Sequence, residues 1–180
     1  MGYYAVILFI YSAWFTACNA DTTHKKSPSD MLELTLQLPD MPVYLNHPLP
    51  VKVILFNKGD APVLVNSRMS VGYPKSVSRE LYADLKNLDT GNPAGFDPID
   101  INRDFAKAAD YKLLKPLDSI FTTFDLLKYY PLKKSGNYEL ILHYQANEKM
   151  AKSPSGIWKD IVSSKPEQLK ILPGKIPSVN

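Results

Sequence analysis

The sequence contains a single cysteine, Cys18, so no disulfide can form within the chain. It also lacks the short patterns of common enzymes: there is no H-E-x-x-H, no G-x-S-x-G, no C-x-x-C and no Gly-rich phosphate loop. Only three histidines occur, His24, His47 and His143, and none lies at metal-ligand spacing from another. We therefore expect no catalytic residues, no metal site, no cofactor and no enzymatic activity.

Glycine and clustered basic charge are also scarce. The chain has 15 prolines but only 8 glycines. Because proline is poorly tolerated in helices and central strands, this composition favours many short elements joined by stiff turns. Lysine and arginine total 21 against 18 acidic residues, for a net charge of +3. Since nucleic-acid binding usually needs a clustered basic face, we expect no nucleic-acid partner.

No charged side chain occurs before Asp21. Residues 5–14 (AVILFIYSAW) are almost wholly apolar. A run of about ten apolar residues followed by small residues is typical of a signal-peptide core. It is shorter than the ~20 residues that a helix needs to cross a bilayer. The pattern therefore predicts a signal peptide over residues 1–17 and an exported protein.

The residues around the single cysteine, Phe15-Thr16-Ala17-Cys18, resemble the bacterial lipobox. In that family a signal peptidase cuts before the cysteine, and lipid is attached to its sulfur. The resemblance implies lipidation of Cys18 and attachment to a bacterial envelope membrane, facing the periplasm or the exterior. The alternative is ordinary cleavage after Ala20. Residues 18–30 are polar and without pattern, which predicts a flexible tether.

Alternation of apolar and polar residues predicts strands through the rest of the chain. The clearest are residues 32–38 (LELTLQL) and 137–145 (NYELILHYQ), and further candidates are residues 51–56, 62–65, 79–86, 120–126 and 168–172. The turn signal NKGD predicts that residues 51–56 and 62–65 form a hairpin. About seven strands without a long amphipathic helix predict an antiparallel β-sandwich over residues 31–172, followed by a flexible tail over 173–180.

Three segments in order, residues 55–60 (LFNKGD), 114–120 (LKPLDSI) and 125–138 (DLLKYYPLKKSGNY), are together similar to an immunoglobulin-like module of bacterial secreted and surface proteins. A similar module precedes the catalytic domain of some deuterolysin-type metallopeptidases. The resemblance implies a non-catalytic sandwich in an extracellular setting. Residues 136–140 (GNYEL) resemble the tyrosine corner, in which the hydroxyl of Tyr138 would bond the backbone upstream.

Residues 87–110 predict one long loop insertion, and loops of this length are often functional. Asp100, Asn102 and Asp104 lie at alternate positions, like the opening of a calcium loop. Tyr111 stands where such a loop has its bidentate glutamate, however. We therefore expect a solvated loop rather than a metal site.

Aromatic residues are the remaining candidates for a partner surface. Tyr129 and Tyr130 lie beside three lysines, and such an aromatic and basic patch could hold a peptide or a glycan. Tyr111 and Trp158 are further candidates for the same role. The alternative is that one of the two adjacent tyrosines lies in the core and the other is half-exposed.

These observations lead to three functional hypotheses. The leading one is a non-catalytic binding module at the bacterial envelope, whose partner is an envelope protein or a glycan. The second is a protease inhibitor that presents sandwich loops to an active-site cleft. The third is a hydrolase built on the acidic loop, which would need carboxylates that converge in a pocket.

Lipidation can be tested directly. Mass spectrometry of the protein from its native host should show a mature N-terminus at Cys18, carrying two or three acyl chains. Cys18→Ser should move the protein from the membrane fraction to the soluble fraction, because two or more acyl chains are needed for stable anchoring. A mature N-terminus at Asp21 would contradict the prediction.

Overall fold

A computed structural model describes residues 30–73, 79–97, 106–146 and 156–174. Several predictions fall outside these ranges: the signal peptide, the lipidation site Cys18, nearly all of the tether, most of the tail, and Asp100, Asn102 and Asp104 of the long loop. Within the described ranges, no helix is long and apolar enough to cross a membrane. The described residues are mainly strands, as the alternation pattern predicts.

Ten strands and one helical turn are found in the described residues. In chain order they are β1 (Leu32–Gln37), β2 (Val43–Tyr44), β3 (Pro50–Asn57), β4 (Val63–Asn66), β5 (Leu81–Asn87), β6 (Tyr111–Leu114), β7 (Ser119–Asp125), α1 (Leu126–Tyr129), β8 (Gly136–Gln145), β9 (Ile161–Ser163) and β10 (Glu167–Leu172). A 3-10 turn over Ala108–Asp110 precedes β6.

The strands form two main sheets. One has the order β1-β3-β7, and the other has the order β2-β10-β8-β5 with β9 added beside β8. All pairings in them are antiparallel except that of β2 with β10. Buried side chains of both sheets belong to one hydrophobic core. The strand order matches that of an immunoglobulin-like sandwich, in which strands A, B and E face strands C, F and G.

Period-2 alternation positions the core side chains. In β8, Tyr138, Leu140, Leu142 and Tyr144 are all buried, whereas the residues between them face outward. β5 alternates in the same way, with Leu81, Ala83 and Leu85 buried, and confirms the strand predicted there. The alternation is therefore a reliable guide to which residues of β5 and β8 remain on the outer face.

The predicted hairpin between residues 51–56 and 62–65 is wrong, because β4 pairs with β6 in a separate two-stranded sheet. The fully buried side chain of Asn57 explains the difference. Its Nδ2 donates to Ala61 O and to Leu114 O, at 2.9 Å in both cases. These two bonds direct the chain after β3 towards β6 instead of back along β3.

Three strands and the helical turn were not predicted. β2, β6 and β9 contain only two to four residues, too few for a period-2 pattern to repeat. α1 begins after Asp125, whose Oδ1 accepts from Leu127 N at 3.1 Å and from Leu49 N at 2.9 Å. One carboxylate thus caps the turn and ties it to the residue before β3.

Tyr138 forms the expected tyrosine corner at the start of β8. Its side chain is 4% exposed, and its hydroxyl donates to Lys134 O at 2.8 Å. Leu140 follows two residues later and is completely buried. Gly136 begins the strand at φ +147°, where an added Cβ would come within 2.6 Å of Asp89 Oδ2. The corner therefore needs a glycine before it as well as the tyrosine in it.

Replacing Tyr138 by phenylalanine should lower the free energy of unfolding by roughly 1–3 kcal/mol, because Lys134 O would lose its donor. Urea denaturation of the purified protein measures this change. Tyr73→Phe is the matched control, since the Tyr73 side chain is 54% exposed. Equal unfolding midpoints for the two variants would show that the corner bond contributes nothing.

Candidate functional site

An aromatic cluster lies beside α1, with Phe96 at its centre. Tyr130, Tyr73 and Tyr129 lie around it, with ring centroids 5.4, 5.9 and 6.3 Å from that of Phe96. Phe124 extends the cluster through an edge contact with Tyr129 at 6.0 Å. Such offset and edge-to-face pairs stabilise a fixed arrangement of rings beyond their buried area. We call these five residues the Phe96 cluster.

The two adjacent tyrosines have different environments. Tyr130 is 2% exposed, and its hydroxyl accepts from Ala83 N at 2.8 Å and donates to Gly72 O at 3.4 Å. Tyr129 is half-buried against Phe96. The arrangement matches the alternative interpretation, with one tyrosine in the core and one half-exposed, so Tyr130 supports a surface but does not offer one.

The other two predicted aromatics lie beside β4. Trp158 is 6% exposed, its amide donates to Leu64 O, and its Nε1 donates to Asp160 O at 2.8 Å. Tyr111 is half-buried and pairs with Asn66 at the start of β6. Of the four candidate aromatics, Tyr130 and Trp158 are thus buried on different elements, whereas Tyr129 and Tyr111 are half-buried.

A groove of ≈ 440 Å³ runs along β5 beside the Phe96 cluster. Its lining includes the buried side chains of Ala83 and Tyr130 and the half-buried ring of Phe96. Asp84 and Lys86, which alternate with the buried residues of β5, are exposed along it. The groove thus has an apolar floor and a charged rim.

The edge of β5 that borders this groove is already hydrogen bonded. Ala83 N donates to the hydroxyl oxygen of Tyr130 at 2.8 Å, and Leu85 O accepts from Ala94 N at 2.7 Å. An extended peptide would have to displace these contacts in order to add to β5 as a further strand. The groove is therefore poorly suited to strand addition.

Asp84 also belongs to a hydrogen-bonded row across three strands. His143 of β8 contacts Asp84 Oδ2 through Nε2 at 3.1 Å and Ser163 Oγ of β9 through Nδ1 at 2.8 Å. Its ring stacks on Tyr82, with centroids 4.6 Å apart. The His143 side chain is 14% exposed and that of Asp84 is 66% exposed. His143 is therefore a half-buried residue that connects Ser163 of β9 with a carboxylate at the groove rim.

The order of contacts in this row is that of a nucleophile, a base and an orienting carboxylate. An acyl-transfer site also needs N–H donors aimed at the developing oxyanion. The amide that follows Ser163 is already used, because Ser164 N donates to Leu142 O at 2.8 Å. The arrangement is better suited to holding Asp84 in place than to activating Ser163.

Neighbouring groups affect the phenol of Tyr82. Burial raises the pKa of Tyr82, and the negative charge of Asp84 raises it further. The phenol therefore stays neutral at physiological pH and presents no second negative charge beside Asp84. The row carries one exposed carboxylate, next to the stacked rings of Tyr82 and His143.

Comparison of this chain with protein-family models and with curated proteins finds no relative. No protein-family model matches this chain. A search of curated proteins finds no significant match either. The interpretation of the groove therefore depends on the geometry of this chain alone.

Sequence reasoning considered His143 only as a metal ligand and missed Asp84 and Ser163 as its neighbours. The signal that could have found them is strand register, since residues on one face of paired strands become neighbours. In the structure Tyr82 is paired with His143, and His143 is paired with Ser163. In the part of the chain that the structure describes, no group of three or more metal-ligating side chains occurs.

Burial raises the pKa of Tyr130 to about 12, whereas its ordinary value is 10.0. Between these values the unfolded chain loses a proton that the folded chain keeps, so the free energy of unfolding should fall as pH rises above about 10. For one tyrosine the slope approaches about 1.4 kcal/mol per pH unit. Urea denaturation between about pH 9 and pH 11 measures it.

Tyr130→Phe should reduce this slope, because phenylalanine cannot ionise. The unsubstituted protein, measured over the same pH range, is the reference. A slope that is the same in the two proteins would contradict the assignment of the alkaline instability to Tyr130.

Proposed function

We propose that this chain is a non-catalytic binding module of the bacterial envelope, anchored by lipid on Cys18, which receives its partner in the groove along β5. The observation that supports this most directly is the combination of an aromatic floor at Phe96, which packs on the buried Tyr130, with exposed charges at Asp84 and Lys86. Ligand sites are typically concave, mainly apolar and provided with a few placed polar groups.

The size and rigidity of the groove support the same function. A volume of ≈ 440 Å³ falls within the roughly 300–1,000 Å³ of small-ligand sites. The Tyr130 hydroxyl is bonded to Ala83 N at 2.8 Å, and the ring packs on Phe96. A floor that is fixed in advance lowers the entropy lost when a ligand binds.

The shape of the groove favours a binding module over a protease inhibitor. A concave site receives a ligand, whereas an inhibitor presents a protruding loop to another protein's cleft. The bonded row of Asp84, His143 and Ser163 favours binding over hydrolysis, because the amide beside Ser163 is already used within the sheet.

Site-specific photo-crosslinking tests the location of the partner. A photoreactive amino acid in place of Lys86, which is exposed at the groove, should give a crosslinked species in intact cells of the native host. The same amino acid at Thr35, exposed on β1 of the other sheet, is the matched control and should give none. The crosslinked species is then identified by mass spectrometry as protein or saccharide.

The second arm of the experiment changes the groove floor. Phe96→Leu keeps an apolar side chain but removes the ring, and it should reduce crosslinking from position 86. Crosslinks of equal yield from positions 35 and 86, or from position 35 alone, would contradict the proposal.

A further inference from the structure

We infer that the groove along β5 binds an uncharged oligosaccharide and that Asp84 accepts hydrogen bonds from its hydroxyl groups. The inference rests on the proposed function, because it names the ligand class for the same groove.

The floor suits the apolar face of a sugar ring. Phe96 is half-buried, and Tyr130 holds it in place at a ring distance of 5.4 Å. Ile141, which is half-buried on the outer face of β8, also lines the groove. Aromatic faces carry partial negative charge, so they attract the weakly positive C–H groups on one side of a sugar. The ring is thus a platform for stacking rather than a site for a charged group.

The rim provides a carboxylate with one oxygen held and one oxygen open. His143 Nε2 contacts Asp84 Oδ2 at 3.1 Å, and among the described contacts none is made to Oδ1. The side chain is 66% exposed, so a ligand can reach it. A carboxylate whose orientation is fixed in this way accepts strong, charge-assisted hydrogen bonds from hydroxyl groups. Hydroxyl groups are the donors that every sugar carries.

The charges and the strand edge disfavour other ligands. Glu139 of β8 lies opposite Lys86 of β5 in the strand register. Together with Asp84, the rim therefore carries two acidic groups and one basic group. This balance repels a polyanionic ligand. A peptide that adds as a strand is disfavoured because Tyr130 and Ala94 already bond the β5 edge. A neutral, hydroxyl-rich chain is the class of ligand that suits the aromatic floor, the open carboxylate oxygen and the charges of the rim.

Direct titration tests this inference. The purified mature protein is titrated with chitohexaose, cellohexaose and maltohexaose as neutral probes, and with hexagalacturonate as the anionic probe. NMR or calorimetry should show saturable binding of at least one neutral probe and weaker or no binding of the anionic one. Failure of all three neutral probes, or tighter binding of hexagalacturonate, would overturn the inference.

Variants locate the binding. Asp84→Asn should weaken the neutral probe roughly tenfold, because a hydrogen bond to a charged acceptor becomes one to a neutral acceptor. Asp60→Asn makes the same charge change at an exposed turn position and should leave the affinity unchanged. Unchanged circular dichroism and melting temperature in both variants separate a lost contact from a lost fold. Equal affinity of the two variants would overturn the role of Asp84.

The crosslinking and titration results together distinguish failure of the glycan inference from failure of the proposed function. If the photoreactive residue at position 86 crosslinks a protein while the neutral probes do not bind, the glycan inference fails and the binding module stands. If position 86 gives no crosslink and no probe binds, both proposals fail.

Discussion

Glu80 is a carboxylate with only 1% of its surface exposed, and the packing of the described residues next to β4 and β5 depends on how it is paired. Arg68 Nη2 lies 2.6 Å from Oε1, Asn66 Nδ2 donates to the same oxygen at 2.9 Å, and Ser70 N donates to Oε2 at 2.9 Å. Removing one partner of such a buried pair leaves an uncompensated charge, which is strongly destabilising. Residues 66–70, at and after the end of β4, and Glu80 before β5 are therefore held in one arrangement, and that arrangement sets where β5 begins.

The same network reaches the central strand β8. The hydroxyl of Tyr144 accepts from Asn66 N at 2.8 Å and donates to Asn66 O at 3.1 Å, and burial raises the pKa of Tyr144 well above its usual range. β4, β5 and β8 are thus fixed to one another by bonds on the inner side of the sheet. On the outer side, the register of β5 and β8 places Asp84 and His143 in contact. The hydrogen bonds on the inner side of the sheet and the contact of Asp84 with His143 on its outer side therefore both require the same register of β5 and β8.

Locality decides how much of this molecule could be predicted from its sequence. The alternation of β8 and the tyrosine corner at Tyr138 depend on residues within a few positions of one another, and both were predicted. The turn after β3 was not, because Asn57 bonds Leu114, which is 57 positions away. The row of Asp84 and His143 was missed for the same reason, since their separation is 59 residues and only strand register brings them together. Burial of Tyr130 likewise depends on a distant partner, Ala83.

The groove follows from the way in which the edge of β5 is covered. An exposed strand edge is a template for unwanted pairing, and proteins usually block it with a further strand, a helix or charged side chains. Here β5 is the last strand of its sheet, and a tyrosine hydroxyl and the amide of Ala94 bond its edge instead. Because a ring fills less space than a strand, a concave space remains between Phe96 and the rim at Asp84. Floor residues such as Tyr130 therefore contribute both to the stability of the β5 edge and to the shape of the groove.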